Sequence, residues 1–388
     1  MARSAPPSIQ TVSSAGSQTV SSAGSQPVGS TAVHPHREPV SAIPAQMRAL
    51  VKPGPGAGLT LQPVPVPHPG RGEILLKIEA GGICGTDLHI YGWNAWAASR
   101  IHPPRIIGHE FCGTVAAVGP EVSGVAVGDF IAGESHVACE ACRSCRRGDR
   151  HICERLEVLG VDRDGAFADY VVMPARNAWP LDRREIPLQV AAVMDPLGNA
   201  VHTALASGGL AGRTVAVIGC GPIGLMAIGV ARRSGAAFVA ASDPKPERRA
   251  LADRMGADLV LDGSEVPVRL RAATGGEGVD VVLEMSGHPA GIRDGLRSLR
   301  NGGWMSQLGL PARPVEIDLS NEVIFPMAHL QGIFGRRIWQ TWEQATTLLR
   351  QGLDITPVIT HRLPLEGYEE AFALLRSGTA GKVVLTLT

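Results

Sequence analysis

Four cysteines fall within fifteen residues of this 388-residue chain, a density typical of metal-binding loops. They are Cys139, Cys142, Cys145 and Cys153. Tetrahedral zinc accepts four thiolates, and such closed sites stabilise a loop and perform no chemistry. Nearby cations can offset the charge of four thiolates: Arg143, Arg146, Arg147 and Arg150. The bacterial iron–sulfur spacing closes with Cys-Pro after three residues, whereas seven residues precede Cys153. We predict a structural zinc, with an iron–sulfur cluster and free thiols as alternatives.

A glycine-rich loop after an apolar run fits the G-x-G-x-x-G pattern of dinucleotide-binding sites. Gly219 would make the tight turn, Gly221 would admit the pyrophosphate, and Gly224 would let a helix pack on a strand. Asp243, nineteen residues beyond Gly224, would bind the ribose hydroxyls and repel a 2′-phosphate. This pattern predicts NAD. Two neighbouring cations that could attract a phosphate keep NADP as the alternative: Lys245 and Arg248.

A thiol, an imidazole and a carboxylate occur in two other glycine-flanked segments. Cys84 lies in GGICGTDLH, and the pair His109-Glu110 lies in IIGHEFCG. All three side-chain types are good zinc ligands. Taken singly, a lone cysteine belongs to a core and a His-Glu pair to a surface more often than to a metal site. Their occurrence together predicts a second, catalytic zinc.

These motifs resemble those of the zinc-dependent medium-chain alcohol dehydrogenases. The family signature G-H-E-x2-G-x5-G recurs in this chain as Gly108, His109, Glu110, Gly113 and Gly119. The four-cysteine loop and the nucleotide loop follow in the family's order. The resemblance covers almost all of residues 47–388, and it implies a GroES-like catalytic domain joined to a Rossmann-type domain with a doubly wound parallel sheet.

The resemblance also assigns roles to individual residues. It implies that Cys84, His109 and Glu110 surround the catalytic zinc and that Asp195 lies beside it as a catalytic residue. Two further groups of residues follow from it. The proton relay would be Thr86 and His89. The NAD contacts would be Ile223, Asp243, Arg248, Leu308, Gly309, Leu310, Ile333 and Phe334, in addition to the loop glycines.

The implied reaction is oxidation of an alcohol by hydride transfer to NAD, with zinc as the Lewis acid. Within the family, the pattern favours L-threonine as substrate, oxidised at its 3-hydroxyl to L-2-amino-3-oxobutanoate. A polyol or 2,3-butanediol is the alternative. His136 is one candidate partner for the ammonium or carboxylate of threonine. The resemblance further implies a homotetramer.

The chain pattern indicates how these residues are positioned. Residues 1–46 form a low-complexity tail that repeats TVSSAGSQ in tandem, which predicts disorder. Residues 47–197 show short apolar runs broken by Gly and Pro, typical of a β-rich domain. Residues 198–335 alternate strand-like and helix-length segments, which predicts a parallel sheet with crossover helices. Two amphipathic stretches and a last strand in residues 336–388 are expected to rejoin the first domain.

Composition limits the possible partners. The chain has 36 basic and 36 acidic side chains, so no overall field would attract nucleic acid or an anionic membrane. The charge balance, with the separate Cys84 group, disfavours a zinc module that binds nucleic acid. A zinc-free quinone reductase relative would lack these ligands altogether. We expect a small-molecule substrate. Seven cysteines, four of them in a metal-like loop, favour a reducing compartment, hence a cytoplasmic protein.

Overall fold

The computed structural model describes residues 42–387. The predicted disordered tail, residues 1–46, therefore lies outside the described residues except for its last five positions. The first strand begins at Gln46, one position before the predicted start of the patterned chain. No helix in residues 42–387 has both the length and the apolar character needed to cross a membrane.

The first part of the described chain is rich in strands. Its strands are β1 (Gln46–Lys52), β2 (Thr60–Pro65), β3 (Glu73–Gly82), β4 (Arg105–Ile106), β5 (Glu110–Val118), β6 (Phe130–Gly133), β7 (His136–Val137), β8 (Glu157–Val158), β9 (Tyr170–Pro174) and β10 (Ala178–Pro180). Its helices are short: α1 (Gly85–Gly92), α2 (Ala95–Arg100), α3 (Arg143–Arg146) and α4 (Leu188–Ala191). The frequent Gly and Pro residues account for this, because they end strands and leave little room for long helices.

The C-terminal part of the chain completes the sheet of this first part. It contains α10 (Gln340–Arg350), β17 (Ile359–Pro364), α11 (Tyr368–Ser377) and β18 (Lys382–Thr386). The strand order is β10-β6-β5-β3-β18-β17, with β9 also paired to β3. The two predicted helices and the last strand are therefore present, whereas the strand-like character of β17 was not predicted. The proposed boundaries at residues 197/198 and 335/336 stay a prediction.

Between these parts lies a six-stranded sheet in which every pairing is parallel. Its strands are β11 (Thr214–Ile218), β12 (Phe238–Ser242), β13 (Leu259–Leu261), β14 (Val279–Glu284), β15 (Leu299–Gln307) and β16 (His329–Gly332). The order β13-β12-β11-β14-β15-β16 is that of a dinucleotide-binding fold. The associated helices are α5 (Met194–Leu205), α6 (Pro222–Arg233), α7 (Pro246–Arg254), α8 (Val266–Ala273) and α9 (Pro289–Ser298). The predicted doubly wound parallel sheet is confirmed.

Burial on both faces explains why the sequences of the central strands are continuous apolar runs. Helices cover both faces of a parallel sheet, so every side chain of such a strand points into a core. Four of the five residues of β11 are buried, and they divide between two apolar clusters on opposite faces of the sheet. By contrast, all four residues of β16 are exposed, and the sequence HLQG gave no strand signal.

Candidate metal centres and cofactor site

The four cysteine thiols of the loop from 139 to 153 converge on one point. Their sulfur atoms lie within 4.8 Å of one another, and three of the four side chains are buried. Backbone amides point at the sulfurs: Cys142 N–H donates to Cys139 at 3.4 Å, and Cys139 N–H donates to Cys153 at 3.3 Å. Amide donors stabilise thiolates, which are the form that binds metal. The donor set and its spacing therefore fit a tetrahedral zinc.

The arginine that donates to a thiol of this loop is Arg155, which was not among the four predicted arginines. Backbone donation from Ala141 and a side-chain bond from Arg155 lower the pKa of Cys139 to about 6. Arg155 Nη2 lies 3.4 Å from the Cys139 sulfur. Two of the predicted arginines have other partners, since Arg146 donates to a loop carbonyl and Arg150 pairs with Glu140. Arg155 follows the last cysteine by two residues, and only the folded loop identifies it.

Cys84, His109 and Glu110 form the second candidate metal group. One ligand atom from each lies within 4.8 Å of the others. Strand pairing brings them together, because β3 and β5 are antiparallel and Gly82 is opposite Glu110. Cys84 follows the end of β3 as the N-cap of α1, and His109 precedes β5. The three ligand types thus project from adjacent strand ends, and their role as zinc ligands stays a prediction.

Unpaired polar atoms support a metal at this group. The buried Glu110 Oε2 and His109 Nδ1 have no hydrogen-bond partner among the described residues. A buried polar atom without a partner is costly, and a bound cation would satisfy the carboxylate oxygen. Although burial lowers the pKa of His109, the negative charges of Asp87 and Cys84 outweigh it and raise this pKa well above its usual value. The group therefore attracts positive charge.

Two supporting residues were not identified from the sequence. Asp87 is fully buried, accepts a bond from the Cys84 backbone N–H at 2.8 Å, and places Oδ1 3.6 Å from His109 Nδ1. Lys382 donates to Glu110 Oε1 at 2.7 Å and to the Ile83 carbonyl at 3.0 Å. Each of them thus ties together the two segments that carry the ligands. Such contacts fix ligand orientation in metal sites.

Asp195 lies next to this group but is held by other residues. Its Oδ1 accepts from Arg336 Nη1 at 2.8 Å, and its Oδ2 accepts from Ser135 at 2.8 Å. Arg336 is almost fully buried and also pairs with Glu134, whose Oε2 accepts from Trp342 at 2.6 Å. Both oxygens of Asp195 are engaged. This agrees with its assignment outside the fixed ligand set, which stays a prediction.

The predicted relay residues lie on α1. Thr86 Oγ1 is 3.9 Å from the Cys84 sulfur, whereas His89 is exposed. Asn94 fixes the tautomer of His89, because its Oδ1 caps α2 by accepting from Ala97 N–H. The amide nitrogen of Asn94 therefore faces His89 Nδ1, 3.0 Å away, and must donate to it. His89 carries its proton on Nε2.

The predicted cofactor contacts lie at the carboxyl ends of four parallel strands. The nucleotide loop follows β11, Asp243 follows β12, residues 308–310 follow β15, and residues 333–334 follow β16. Ligands of such sheets bind in the crevice outside these strand ends. Residues separated by more than one hundred positions are thus brought to one edge.

The glycines of the nucleotide loop meet the predicted steric demands. Gly219 has φ +96°, and a Cβ there would lie 2.7 Å from Ser286 N. A Cβ on Gly224 would collide with the carbonyl of Gly219, whereas one on Gly221 would meet nothing within 4 Å. The space beside Gly221 is open for a phosphate, and α6 begins at the next residue with its free amides.

The acid after β12 faces this loop. Asp243 is buried and accepts from Cys220 N–H at 2.9 Å and from Lys245 N–H at 2.9 Å. Arg248 is 3.6 Å from its Oδ2. The ammonium of Lys245 donates instead to the carbonyls of Ser377 and Gly378 at the end of α11. Lys245 is therefore engaged elsewhere and is a weaker candidate for binding a 2′-phosphate than the sequence indicated.

Comparison with known proteins agrees with this arrangement. The model of the alcohol dehydrogenase GroES-like domain matches residues 70–183, and that of the zinc-binding dehydrogenase matches residues 222–351. The L-threonine 3-dehydrogenase of Bacillus velezensis is 50% identical over 316 residues, which is 81% of this chain and 91% of the relative.

Solved structures share the fold over nearly the same span. A Sinorhizobium meliloti protein described as a zinc-binding dehydrogenase, solved with NADP, has a TM-score of 0.82 at 30% identity and covers 89% of this chain and 100% of its own. The 2R,3R-butanediol dehydrogenase of Bacillus subtilis has a TM-score of 0.80 at 27% identity, covering 88% and 100%. The predicted pairing of a GroES-like domain with a Rossmann-type sheet is confirmed.

Proposed function

This chain belongs to the zinc-binding dehydrogenase family, and on that premise we propose that it oxidises L-threonine to L-2-amino-3-oxobutanoate with NAD as hydride acceptor. The observation that carries the proposal is the convergence of Cys84, His109 and Glu110 in a chain that also has a sheet of the dinucleotide-binding type. The choice of threonine rests on the 50% identity to a threonine dehydrogenase, compared with 27% to a butanediol dehydrogenase.

In this proposal, Cys84, His109 and Glu110 hold the catalytic zinc, and the four-cysteine loop holds a structural one. A zinc ion in the catalytic site supplies Lewis acidity to the substrate hydroxyl. Asp87 and Lys382 keep the ligands oriented, and Glu110 Oε2 is left free to face the cation. Each subunit would carry two zinc ions.

The remaining residues bind substrate or carry its proton. Thr86 and His89 form the relay to solvent, which suits the exposed position of His89. His136 stacks on Phe334, with 5.8 Å between ring centroids, and it also lies close enough to His109 for their charges to interact. Burial and the charge of Arg336 hold the pKa of His136 well below its usual value. As a neutral ring, it would bind the polar end of threonine by hydrogen bonds.

A substrate panel tests the proposal. Purified protein with L-threonine and NAD should form NADH, whereas sorbitol and 2,3-butanediol should give much slower formation. Rapid turnover of a polyol without turnover of threonine would favour the alternative substrate. Metal analysis of the same sample should find about two zinc ions per chain, and none at all would refute the scheme.

The preference for NAD should depend on Asp243. Replacing it with asparagine removes the charge that would repel a 2′-phosphate, and it weakens charge-assisted bonds worth about 1.5–3 kcal/mol. We expect kcat/KM with NAD to fall by about 10- to 100-fold and kcat/KM with NADP to rise. Steady-state kinetics with both cofactors measures this change.

Asp258→Asn is the matched control for Asp243→Asn. Asp258 also accepts a backbone bond, from Val239 N–H at 2.8 Å, but it precedes β13 and so lies at the opposite edge of the sheet. It should leave the cofactor preference unchanged. An Asp243→Asn variant with the original preference would show that another residue discriminates between the cofactors.

We also propose that the protein assembles as a homotetramer. The support is the outer edge of the parallel sheet, where β16 is the last strand and all four of its residues are exposed. Large apolar side chains crowd this edge segment (residues 319–332): Leu319, Ile324, Phe325, Met327 and Leu330. An exposed strand edge with apolar neighbours favours pairing with a second copy.

Placing a charged side chain on β16 should disrupt the proposed tetramer. Leu330→Lys places an ammonium on β16, where lysine is known to oppose edge-to-edge pairing. We expect the mass from light scattering after size exclusion to fall below that of the unsubstituted tetramer. Val268→Lys, on the exposed face of α8, is the control and should not change the mass. An unchanged tetramer with Leu330→Lys would place the contacts elsewhere.

The chemistry of the cysteines favours a reducing compartment for this protein. None of the seven cysteines, all of them in the described part of the chain, forms a disulfide, and metal-binding thiolates require reducing conditions. We propose that the protein works in the cytoplasm.

A further inference from the structure

Residues 333–336 form the turn by which the chain leaves β16, and histidines surround it. This return turn (residues 333–336) carries the proposed cofactor contacts Ile333 and Phe334. His136 packs against it from one side, since a Cβ on Gly335 would lie 2.8 Å from the His136 ring. Gly335 also has φ +56°, so the turn requires glycine on both grounds.

A second histidine holds the backbone of the turn. His202, on α5, places Nδ1 2.9 Å from the carbonyl oxygen of Gly335. A carbonyl can only accept, so Nδ1 carries the proton and donates. His202 is largely buried, and burial lowers its pKa, which keeps the ring in the neutral form. Gly335 lies directly after Phe334, so this bond fixes the orientation of the proposed cofactor contact.

A third histidine connects His202 to the four-cysteine loop. The His151 ring meets the His202 ring edge to face, with centroids 5.4 Å apart and planes at 89°. His151 is buried and lies two residues before Cys153. The contact therefore runs from the loop, through two buried rings, to the backbone of the return turn.

We propose that His202 is a positioning residue for NAD and that the four-cysteine loop supports it through His151. Under this proposal the loop has a role beyond local stability, because it sets cofactor affinity from a distance. The inference rests on the proposed function, in which Ile333 and Phe334 contact NAD.

Direct NADH binding tests the proposal without any alcohol present. His202→Phe keeps a ring of similar size and the edge contact but has no donor, whereas His202→Asn keeps a donor. Loss of one buried hydrogen bond corresponds to about a tenfold change in affinity. We expect the NADH dissociation constant, from NADH fluorescence with the zinc-loaded protein, to rise about tenfold with His202→Phe. His202→Asn should stay within about threefold.

Separate variants test the coupling between His202 and the four-cysteine loop. His151→Leu should raise the same dissociation constant, and combining it with His202→Phe should add less than the sum of the two effects. The KM for NAD should rise in each weakened variant, while the KM for threonine stays unchanged. His361→Phe, on β17, is the control and should bind NADH normally.

The outcomes separate this inference from the proposed function. If the unsubstituted protein does not bind NADH, the proposed function fails. If it binds, but His202→Phe binds equally well or His202→Asn is weakened as much as His202→Phe, the positioning role is overturned. Normal binding by His151→Leu would remove the loop from the proposal. If His202→Phe melts early, His202→Asn decides the question, because it keeps the donor to the Gly335 carbonyl and should therefore bind NADH nearly as well as the unsubstituted protein.

Discussion

Cys84→Ala is expected to abolish NADH formation in a protein that still folds. The thiol is one of three ligands in the proposed catalytic site, and its loss should release that zinc. Lewis acidity contributes several kcal/mol to such a reaction, and each 1.36 kcal/mol is a factor of ten in rate. We therefore expect kcat/KM to fall by about a thousandfold or more. Metal analysis should drop from about two zinc ions per chain to one.

Cys153→Ser should act mainly on stability. Its sulfur accepts the Cys139 and Arg155 amides, and its loss opens the proposed structural site. We expect a lower thermal midpoint and loss of the other zinc. Cys112→Ala is the control, because this buried thiol belongs to neither group and bonds the Leu188 carbonyl. Normal turnover by Cys84→Ala, or an unaffected midpoint in Cys153→Ser, would contradict the separate roles of the two sites.

Arg336→Met should have the largest effect on stability. The guanidinium is about 1% exposed and pairs with Glu134 and Asp195, both buried. Removing one partner of a buried ion pair leaves uncompensated charge and costs about 3–5 kcal/mol. We expect a lower midpoint of unfolding in heat or denaturant, measured by circular dichroism.

Two variants control for the loss of Arg336. Arg232→Met breaks an ion pair with Asp258 in which both side chains are more than a third exposed, and it should cost at most about 1 kcal/mol. Adding Glu134→Gln to Arg336→Met removes one of the stranded charges and should recover part of the stability. If Arg336→Met is no less stable than Arg232→Met, the network around Glu134 is not important for the fold.

Local patterns predicted much of the fold and the candidate sites. The nucleotide loop could be identified because its steric demands fall on three glycines within six residues. The four-cysteine loop is local in the same sense. His109 was placed by the family signature and Cys84 by the family resemblance, and the pairing of β3 with β5 supplies the physical reason for their proximity.

Contacts between residues far apart in the sequence were not predicted. The bonds of Arg336 to Glu134 and Asp195 join positions 202 and 141 residues apart, and no periodicity marks them. β16 was missed because its strand character comes from pairing with β15 and not from β-branched or alternating residues. Asp87 was within reach, since an acid three residues after Cys84 fits the spacing of a helix-capping residue.

The position of Lys382 has a consequence for the order in which the chain assembles. Its bonds to Ile83 and Glu110 close loops of 299 and 272 residues. During synthesis, both ligand-bearing strands leave the ribosome long before β18 exists, and the whole parallel sheet is made in between. Glu110 therefore lacks its counter-charge until the last strand inserts, and closing so long a loop is a slow step. The ligand set that the sequence specifies early thus becomes ordered late in folding.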